Sequence, residues 1–146
     1  MNQIETHQLN DSARRPQGIG GWLLALCLSF LVWRPVNSAL VAASVLAALS
    51  VRGPSLVVGL VALTLVTSFG VAAGLALVLR RGPAVTMALA ALLLSAAIDL
   101  AIYTTSYLPS NRMPGDTPLY VAASLAYHGT WLAYLTLSRR VRALGT

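Results

Sequence analysis

The chain has 146 residues, of which 57% are hydrophobic and 10% are charged, and it carries a net charge of +6. A soluble domain of this size could not bury so much apolar surface, whereas a lipid bilayer accepts apolar helices of about 20 residues. Every cation is an arginine beside an apolar run, which is typical of membrane orientation signals and argues against nucleic-acid binding. The composition predicts an all-α membrane protein whose first partner is the lipid bilayer.

The chain divides into a short polar segment and a long apolar one. Residues 1–17 are polar and show no apolar period, which predicts a cytoplasmic tail rather than a folded domain. Residues 18–146 contain all of the long apolar runs and form the predicted membrane domain.

The first apolar run extends from Gly18 to Val51 and is interrupted only by Arg34 and Pro35. It is too long for one straight crossing and too short for two. We expect one spanning helix over about residues 20–44, kinked near Pro35, with the turns that follow it tilted or lying along the outer interface. Two half-helices in a re-entrant hairpin are the alternative.

Three further apolar runs follow, and each is long enough for one crossing. The predicted helices cover residues 56–79, 84–108 and 118–138. Arg80 to Pro83 forms a tight basic turn after the first of these, and the polar stretch at 109–117 forms a loop. The sequence therefore predicts four transmembrane helices in an up-and-down bundle.

Orientation follows from the arginines near the ends of the predicted helices, because positive charges in short loops are retained on the cytoplasmic side. With four crossings, the tail, the second loop and the C-terminus share one side, which carries seven arginines against two on the other side. The seven are Arg14, Arg15, Arg80, Arg81, Arg139, Arg140 and Arg142, and the two are Arg52 and Arg112. This bias predicts that both termini lie in the cytoplasm.

An acidic residue, Asp99, interrupts the third predicted helix, and a charge in such a helix usually faces a partner or a water-filled cavity. At 1.5 Å per residue it lies about 22 Å from the start of its helix, and Arg34 has a similar depth in the first helix. We expect an ion pair that acts as a structural clasp. Two alternatives stay open: His128 relays protons with Asp99 along a transport path, or Arg34 extends to the interface beside a protonated Asp99.

Polar and aromatic side chains recur at spacings of four and three along the fourth predicted helix, which places them on one face. They are Tyr120, Ser124, Tyr127, Trp131, Tyr134 and Ser138. We interpret this face as a seam that packs on neighbouring helices, with Tyr120 and Tyr134 also anchoring the helix at the interfaces. In the second helix, Gly70 and Gly74 permit close backbone approach, either within the chain or to another copy.

Two short segments carry a family resemblance. Gly20, Gly21, Trp22 and Leu23 open the first predicted helix, and Trp131, Tyr134, Ser138, Arg140 and Val141 close the last one. Together with the basic turn at 80–83 and the four apolar runs, these segments resemble the bacterial domain-of-unknown-function family 2569, whose members are small four-helix inner-membrane proteins.

The resemblance implies a fold, a topology and a location in the bacterial inner membrane. It marks Trp131, Tyr134, Ser138 and Arg140 as positions of interest, with the two aromatic rings setting the depth of the helix and Arg140 meeting lipid phosphates or an acidic partner. The Thr-Phe pair that commonly follows the Arg-Val of the family is Leu144-Gly145 in this chain, so the final contact of that segment is expected to differ.

The sequence contains no paired carboxylates, no catalytic-triad spacing, no phosphate-binding glycine loop and no metal-ligand set. We therefore expect no enzyme activity, no cofactor and no metal. The features that suit helix packing outnumber the reactive ones, which favours an accessory, assembly or scaffolding subunit with a membrane-protein partner or self-association. The alternative is a small oligomeric transporter or channel that uses Asp99, Arg34 and His128.

Overall fold

The computed structural model describes residues 21–52, 55–105, 115–138 and 141, and every regular element in these ranges is helical. The elements are α1 (Trp22–Leu28), a π-helical segment (Ser29–Trp33), α2 (Arg34–Arg52), α3 (Ser55–Val78), α4 (Ala84–Thr104) and α5 (Thr117–Leu137). The predicted all-α class therefore holds for this part of the chain. The predicted tail at 1–17 lies outside the described residues, as do Gly20 and Arg140.

The first apolar run forms one helical path, because α1, the π segment and α2 follow one another without a break. The path contains no re-entrant turn, and it continues past residue 44 to Arg52. Its apolar part, Trp22–Leu49, has 28 residues, which corresponds to about 42 Å and exceeds the ~30 Å of a hydrocarbon core. A helix of this length in a bilayer has to tilt or extend beyond the core.

The irregularity expected at Pro35 takes the form of a widened turn just before it. Proline has no N–H to donate, and its ring would collide with the carbonyl four residues earlier in a regular helix. In the π segment the hydrogen bonds reach back five residues instead, and the N–H of Arg34 donates to the carbonyl of Ser29. The wider turn directly precedes the proline and leaves the helix continuous.

Three helical stretches are long and apolar enough to cross a membrane, which indicates a membrane protein. They are Trp22–Leu49, Leu56–Val78 and Ala84–Thr104. The helix α5 has 21 residues but carries more polar and aromatic side chains. The helix α4 ends earlier than the predicted residue 108, because Thr105 already has an extended backbone.

A compact turn joins α3 to α4. Arg80 has a φ of 51°, and its N–H donates to the carbonyl of Leu77, while the N–H of Arg81 donates to the carbonyl of Ala76. This pair of bonds is the Schellman arrangement that closes many helix C-termini. The left-handed residue of this turn is Arg80 and not the nearby Gly82. Arg80 therefore adopts a conformation that residues with a side chain disfavour.

The helices pack in chain order, with α2 against α3, α3 against α4 and α4 against α5, while α1 and the π segment also pack on α3. The two-residue connection between α2 and α3 and the five-residue connection between α3 and α4 make these neighbours antiparallel. The largest cluster of buried apolar side chains lies beside the 80–83 turn. Its fully buried members include Leu26, Leu77, Ala88, Leu92 and Leu135.

Candidate functional site

A buried ion pair joins α2 to α4. The Nη1 of Arg34 donates to the Oδ2 of Asp99 over 2.8 Å, and the two side chains are only 10% and 15% exposed. At a solvent-exposed surface such a pair contributes little, but inside a bundle each charge is costly without the other. The structure brings together the two residues that the sequence placed at similar depth.

The imidazole of His128 on α5 approaches the same carboxylate. Its Nε2 lies 3.7 Å from Asp99 Oδ2, which is beyond hydrogen-bond distance. Its Nδ1 lies 2.8 Å from the backbone carbonyl oxygen of Ser124 and 3.4 Å from the hydroxyl oxygen of the same residue. His128 is only 2% exposed, and its Nε2 has no hydrogen-bond partner among the described residues. We call Arg34, Asp99 and His128 the polar cluster.

Local helix geometry positions each member of the polar cluster. Arg34 directly follows the widened π segment, and Asp99 lies one turn beyond the buried Ser95 on the same face of α4. His128 lies one turn beyond Ser124, whose carbonyl orients its ring. Within the described ranges, no three His, Cys, Asp or Glu side chains lie close enough together to hold a metal ion.

The buried face of α5 is rotated relative to the predicted stripe. The buried side chains are Ser124, His128, Trp131 and Leu135, which also recur at spacings of four and three. Tyr127 and Tyr134 are half-buried at the edge of this face. Tyr120, predicted to lie in the seam, is 41% exposed and contacts the ring of Tyr103 at 5.9 Å between centroids. His128, which the sequence placed beside the seam, is therefore central to it.

Two further polar contacts link helices on either side of the polar cluster. The hydroxyl of Ser29 in the π segment bonds to the hydroxyl of Tyr127 on α5. The hydroxyl oxygens of Ser38 on α2 and Thr67 on α3 are 2.7 Å apart. Hydrogen bonds of this kind between helices are typical of helix association in lipid. Ser29 and Ser38 were not singled out in the sequence, because an isolated serine in an apolar run gives no pattern.

The two glycines of α3 receive the π segment of the same chain. A Cβ added at Gly74 would lie 3.0 Å from the Cβ of Phe30 and 3.2 Å from the side chain of Leu31. At Gly70 the nearest atom, on the ring of Phe30, would be 3.5 Å away. Phe30 can therefore pack at this position only because Gly74 has no side chain. Of the two contacts expected for the glycine pair, the structure shows the one within the chain.

The residues of the family resemblance that the structure describes lie near the end of the bundle that contains the 80–83 turn. Gly21, with a φ of 63°, precedes α1, and the exposed Trp22 packs edge-on against Trp131 at 6.0 Å between centroids. Tyr134 lies edge-on to Trp131 at 6.2 Å between centroids, while Ser138 follows α5 with its N–H donating to the carbonyl of Tyr134. Val141 is fully buried.

An open groove of about 580 Å³ lies between the start of the first helical path and α5. Its walls are Ala25, Leu28, Ser29, Val32, Trp33, Tyr127 and Trp131. The groove follows from the way α5 meets the π segment, which is through the Ser29–Tyr127 contact rather than through close backbone packing. Its surface is mainly apolar and is suited to lipid tails or to a helix of another protein.

Comparison with known proteins adds no relative to this arrangement. No family model, no curated protein and no solved structure matches the chain. The geometry of the polar cluster and of the helix surfaces is therefore the basis on which a function can be proposed.

Proposed function

We propose that this chain is a multi-pass protein of the bacterial inner membrane that crosses the bilayer four times and has cytoplasmic termini. We propose further that it acts as an accessory, assembly or scaffolding subunit of a membrane complex and not as an enzyme. The proposal includes membership of domain-of-unknown-function family 2569, which the segments Gly20 to Leu23 and Trp131 to Val141 resemble. Its partners would be the bilayer and another membrane protein or a second copy.

The observation that supports the proposal is that polar side chains of different helices bond to one another inside the bundle. Arg34 bonds to Asp99, Ser38 to Thr67, and Ser29 to Tyr127, all within the chain. The outer surface of the described helices is mainly apolar, and its exposed large side chains include Trp33, Leu40, Val58, Leu65, Leu93 and Leu137. Such a surface offers helix and lipid contacts rather than reactive groups.

The fourth crossing is supported by the way α5 is oriented. Its polar residues Ser124 and His128 face inward and are buried, while Leu119, Leu125 and Leu137 face outward and are exposed. This is the pattern expected of a helix with lipid on one side and protein on the other, since polar groups in lipid need partners. A reporter that fluoresces only in the cytoplasm, fused after Thr146, should be bright; a dark fusion of normal abundance would reverse the orientation.

The subunit proposal is tested by gentle detergent extraction of a tagged copy at native expression level, followed by mass spectrometry of the proteins that co-purify. We expect a membrane protein in fixed stoichiometry. Photo-crosslinking residues placed separately at the exposed positions Val58, Leu65 and Leu125 should capture that partner from some helix faces and only lipid from others. An unrelated four-helix protein with the same tag is the control, and equal capture by the control would contradict the proposal.

A small oligomeric transporter or channel that uses Asp99, Arg34 and His128 is the second candidate. The observation that favours it is the buried Nε2 of His128, which has no partner among the described residues. Polar atoms in that condition are uncommon in folded proteins and are frequent at functional sites.

The variant Asp99→Asn separates the two candidates. In a transporter it should abolish flux into liposomes while the chain still inserts and folds, because the path loses its charge. If the pair is a structural clasp, the variant should lower the abundance and stability of the chain. The unmodified protein should then show no flux. The variant Ser38→Ala removes a polar contact between α2 and α3 outside the polar cluster and serves as the control.

A further inference from the structure

The hydrogen bonds of His128 determine which ring nitrogen carries its permanent proton. A backbone carbonyl can only accept, so the Nδ1 at 2.8 Å from the Ser124 carbonyl oxygen must be the donor. In a neutral imidazole the second nitrogen, Nε2, then has a lone pair and no hydrogen. The Oδ2 of Asp99, which is also an acceptor, lies 3.7 Å from this nitrogen.

The distance between His128 Nε2 and Asp99 Oδ2 excludes both a direct hydrogen bond and a bridging water. At 3.7 Å they are too far apart for a hydrogen bond and too close for a bridging water. A water bonded to both at about 2.8 Å would subtend roughly 80° at its oxygen, far less than the ~105° between its own bonds. One added proton resolves the conflict, because a movement of about 0.9 Å would turn the facing acceptors into a charge-assisted hydrogen bond.

The charges around the gap come from two helices besides α5. Asp99 of α4 attracts a proton to Nε2, while Arg34 of α2 already donates to the same carboxylate and opposes a second positive charge. The helix α3 contains no charged or titratable residue. On α5 itself, the neighbouring Tyr127 is engaged with Ser29. Proton binding therefore depends on the carboxylate of Asp99.

We propose that His128 Nε2 and Asp99 Oδ2 form a binding site for a single proton at the junction of α2, α4 and α5. The proton is bound between the imidazole and the carboxylate, and no other bond forms or breaks. The occupied site ties α5 to the Arg34–Asp99 pair, whereas the empty site leaves the docking of α5 to its other contacts. This inference goes beyond the subunit role and does not require transport.

The test uses the full chain in lipid nanodiscs with ¹⁵N-labelled histidine and follows the ring nitrogens by NMR as the pH is changed. The chain has two histidines, so the variant His7→Asn isolates the signals of His128. We expect a neutral ring that carries its proton on Nδ1 near neutral pH and a single protonation step at Nε2 as the pH is lowered over the range of the titration. The step should be lost over that range in Asp99→Asn and kept in the control Ser38→Ala.

Several outcomes would overturn the proposal. A ring whose neutral form carries its proton on Nε2 would contradict the acceptor pair, and a ring that stays in one protonation state throughout would show that no proton binds. A step that is the same in Asp99→Asn would mean that the carboxylate takes no part. If Asp99→Asn does not fold, the tautomer and the presence of a protonation step are still measured on the chain with the native cluster. Asp99→Glu then replaces Asp99→Asn, and its longer carboxylate should shift the pH of the step.

Discussion

The two ends of this bundle are held together by different means. At the end beside the 80–83 turn, which we call the turn end, side chains from α1, α3, α4 and α5 meet in one buried apolar cluster. At the opposite end, which we call the open end, the buried apolar side chains among the described residues are Val45, Leu56 and Leu63, which belong to α2 and α3. There α5 exposes Leu119 and Tyr120.

The difference shows what holds a helix in this molecule. Lipid tails are as apolar as leucine, so close fit and hydrogen bonds, rather than transfer from water, stabilise helix contacts in a bilayer. The turn end uses close fit, with small residues such as Ala73, Ala88 and Gly74 that let backbones approach. The middle of the bundle uses polar contacts, because the Arg34–Asp99 pair joins α2 to α4 and the Ser29–Tyr127 contact holds α5. At the open end, α5 contacts α4 through the rings of Tyr120 and Tyr103.

The largest effect should come from breaking the ion pair between the two ends. Asp99→Ala leaves the Arg34 guanidinium buried without its partner, and we expect a loss of about 3–5 kcal/mol in the free energy of unfolding. The double variant Arg34→Met with Asp99→Leu should recover most of that loss, because it removes both charges together. Equilibrium unfolding in mixed micelles measures both variants. A loss well below about 3 kcal/mol for Asp99→Ala would show that close fit alone stabilises the middle of the bundle.

The second effect tests close fit at the turn end. Gly74→Leu places a side chain where Phe30 and Leu31 already lie within 3.0–3.2 Å, and overpacking of this kind destabilises by about 1–3 kcal/mol. The matched control is Gly129→Ala on α5, where nothing lies within 4 Å; it should be neutral or stabilise by up to about 1 kcal/mol. If Gly74→Leu unfolds no more easily than Gly129→Ala, the π segment does not depend on close fit.

A smaller effect is expected for the contact between the π segment and α5. Tyr127→Phe removes the hydroxyl that bonds to Ser29 but keeps the ring. Bonds between helices in membranes reach about 1.7 kcal/mol at most, and we expect a loss near 1 kcal/mol. The double variant with Ser29→Ala should cost no more than Tyr127→Phe alone, since the two hydroxyls share one bond. Fully additive losses would indicate separate partners.

The smallest effect should belong to the Ser38–Thr67 contact, because α2 and α3 also pack against each other along their lengths. Ser38→Ala should cost about 0.6 kcal/mol, the average for such a bond in a membrane protein. Should this variant destabilise the chain as much as Asp99→Ala does, the middle of the bundle would not differ from the α2–α3 contact, and the proposed division would fail.

The parts of the fold that depend on a regular property of a helix could be predicted from the sequence. The apolar runs at 56–79 and 84–108 correspond to α3 and α4, because a helix in a bilayer has to be apolar over its length. The meeting of Arg34 with Asp99 could be expected by counting residues from one side of the bilayer, since the rise per residue is constant.

Other features could not be predicted from the sequence. On α5, residues 124, 128, 131 and 135 satisfy the helical period as well as the aromatic stripe does, and only the positions of neighbouring helices decide which set is buried. The π segment leaves no trace in a hydrophobic period, because every residue from Phe30 to Trp33 is apolar. Proline marks a disturbance but not whether the helix bends, breaks or widens.

That widened turn makes this stretch sensitive to chain length rather than to composition. One residue corresponds to about 100° of rotation in an α-helix, so deleting a single position within Ser29–Trp33 to restore regular winding would rotate α1 relative to α2. Leu26 and Phe30 would then turn away from α3 while Arg34 kept its contact with Asp99. Apolar substitutions can be absorbed at such a turn, but insertions and deletions there separate the close-fitting end of the molecule from its charged middle.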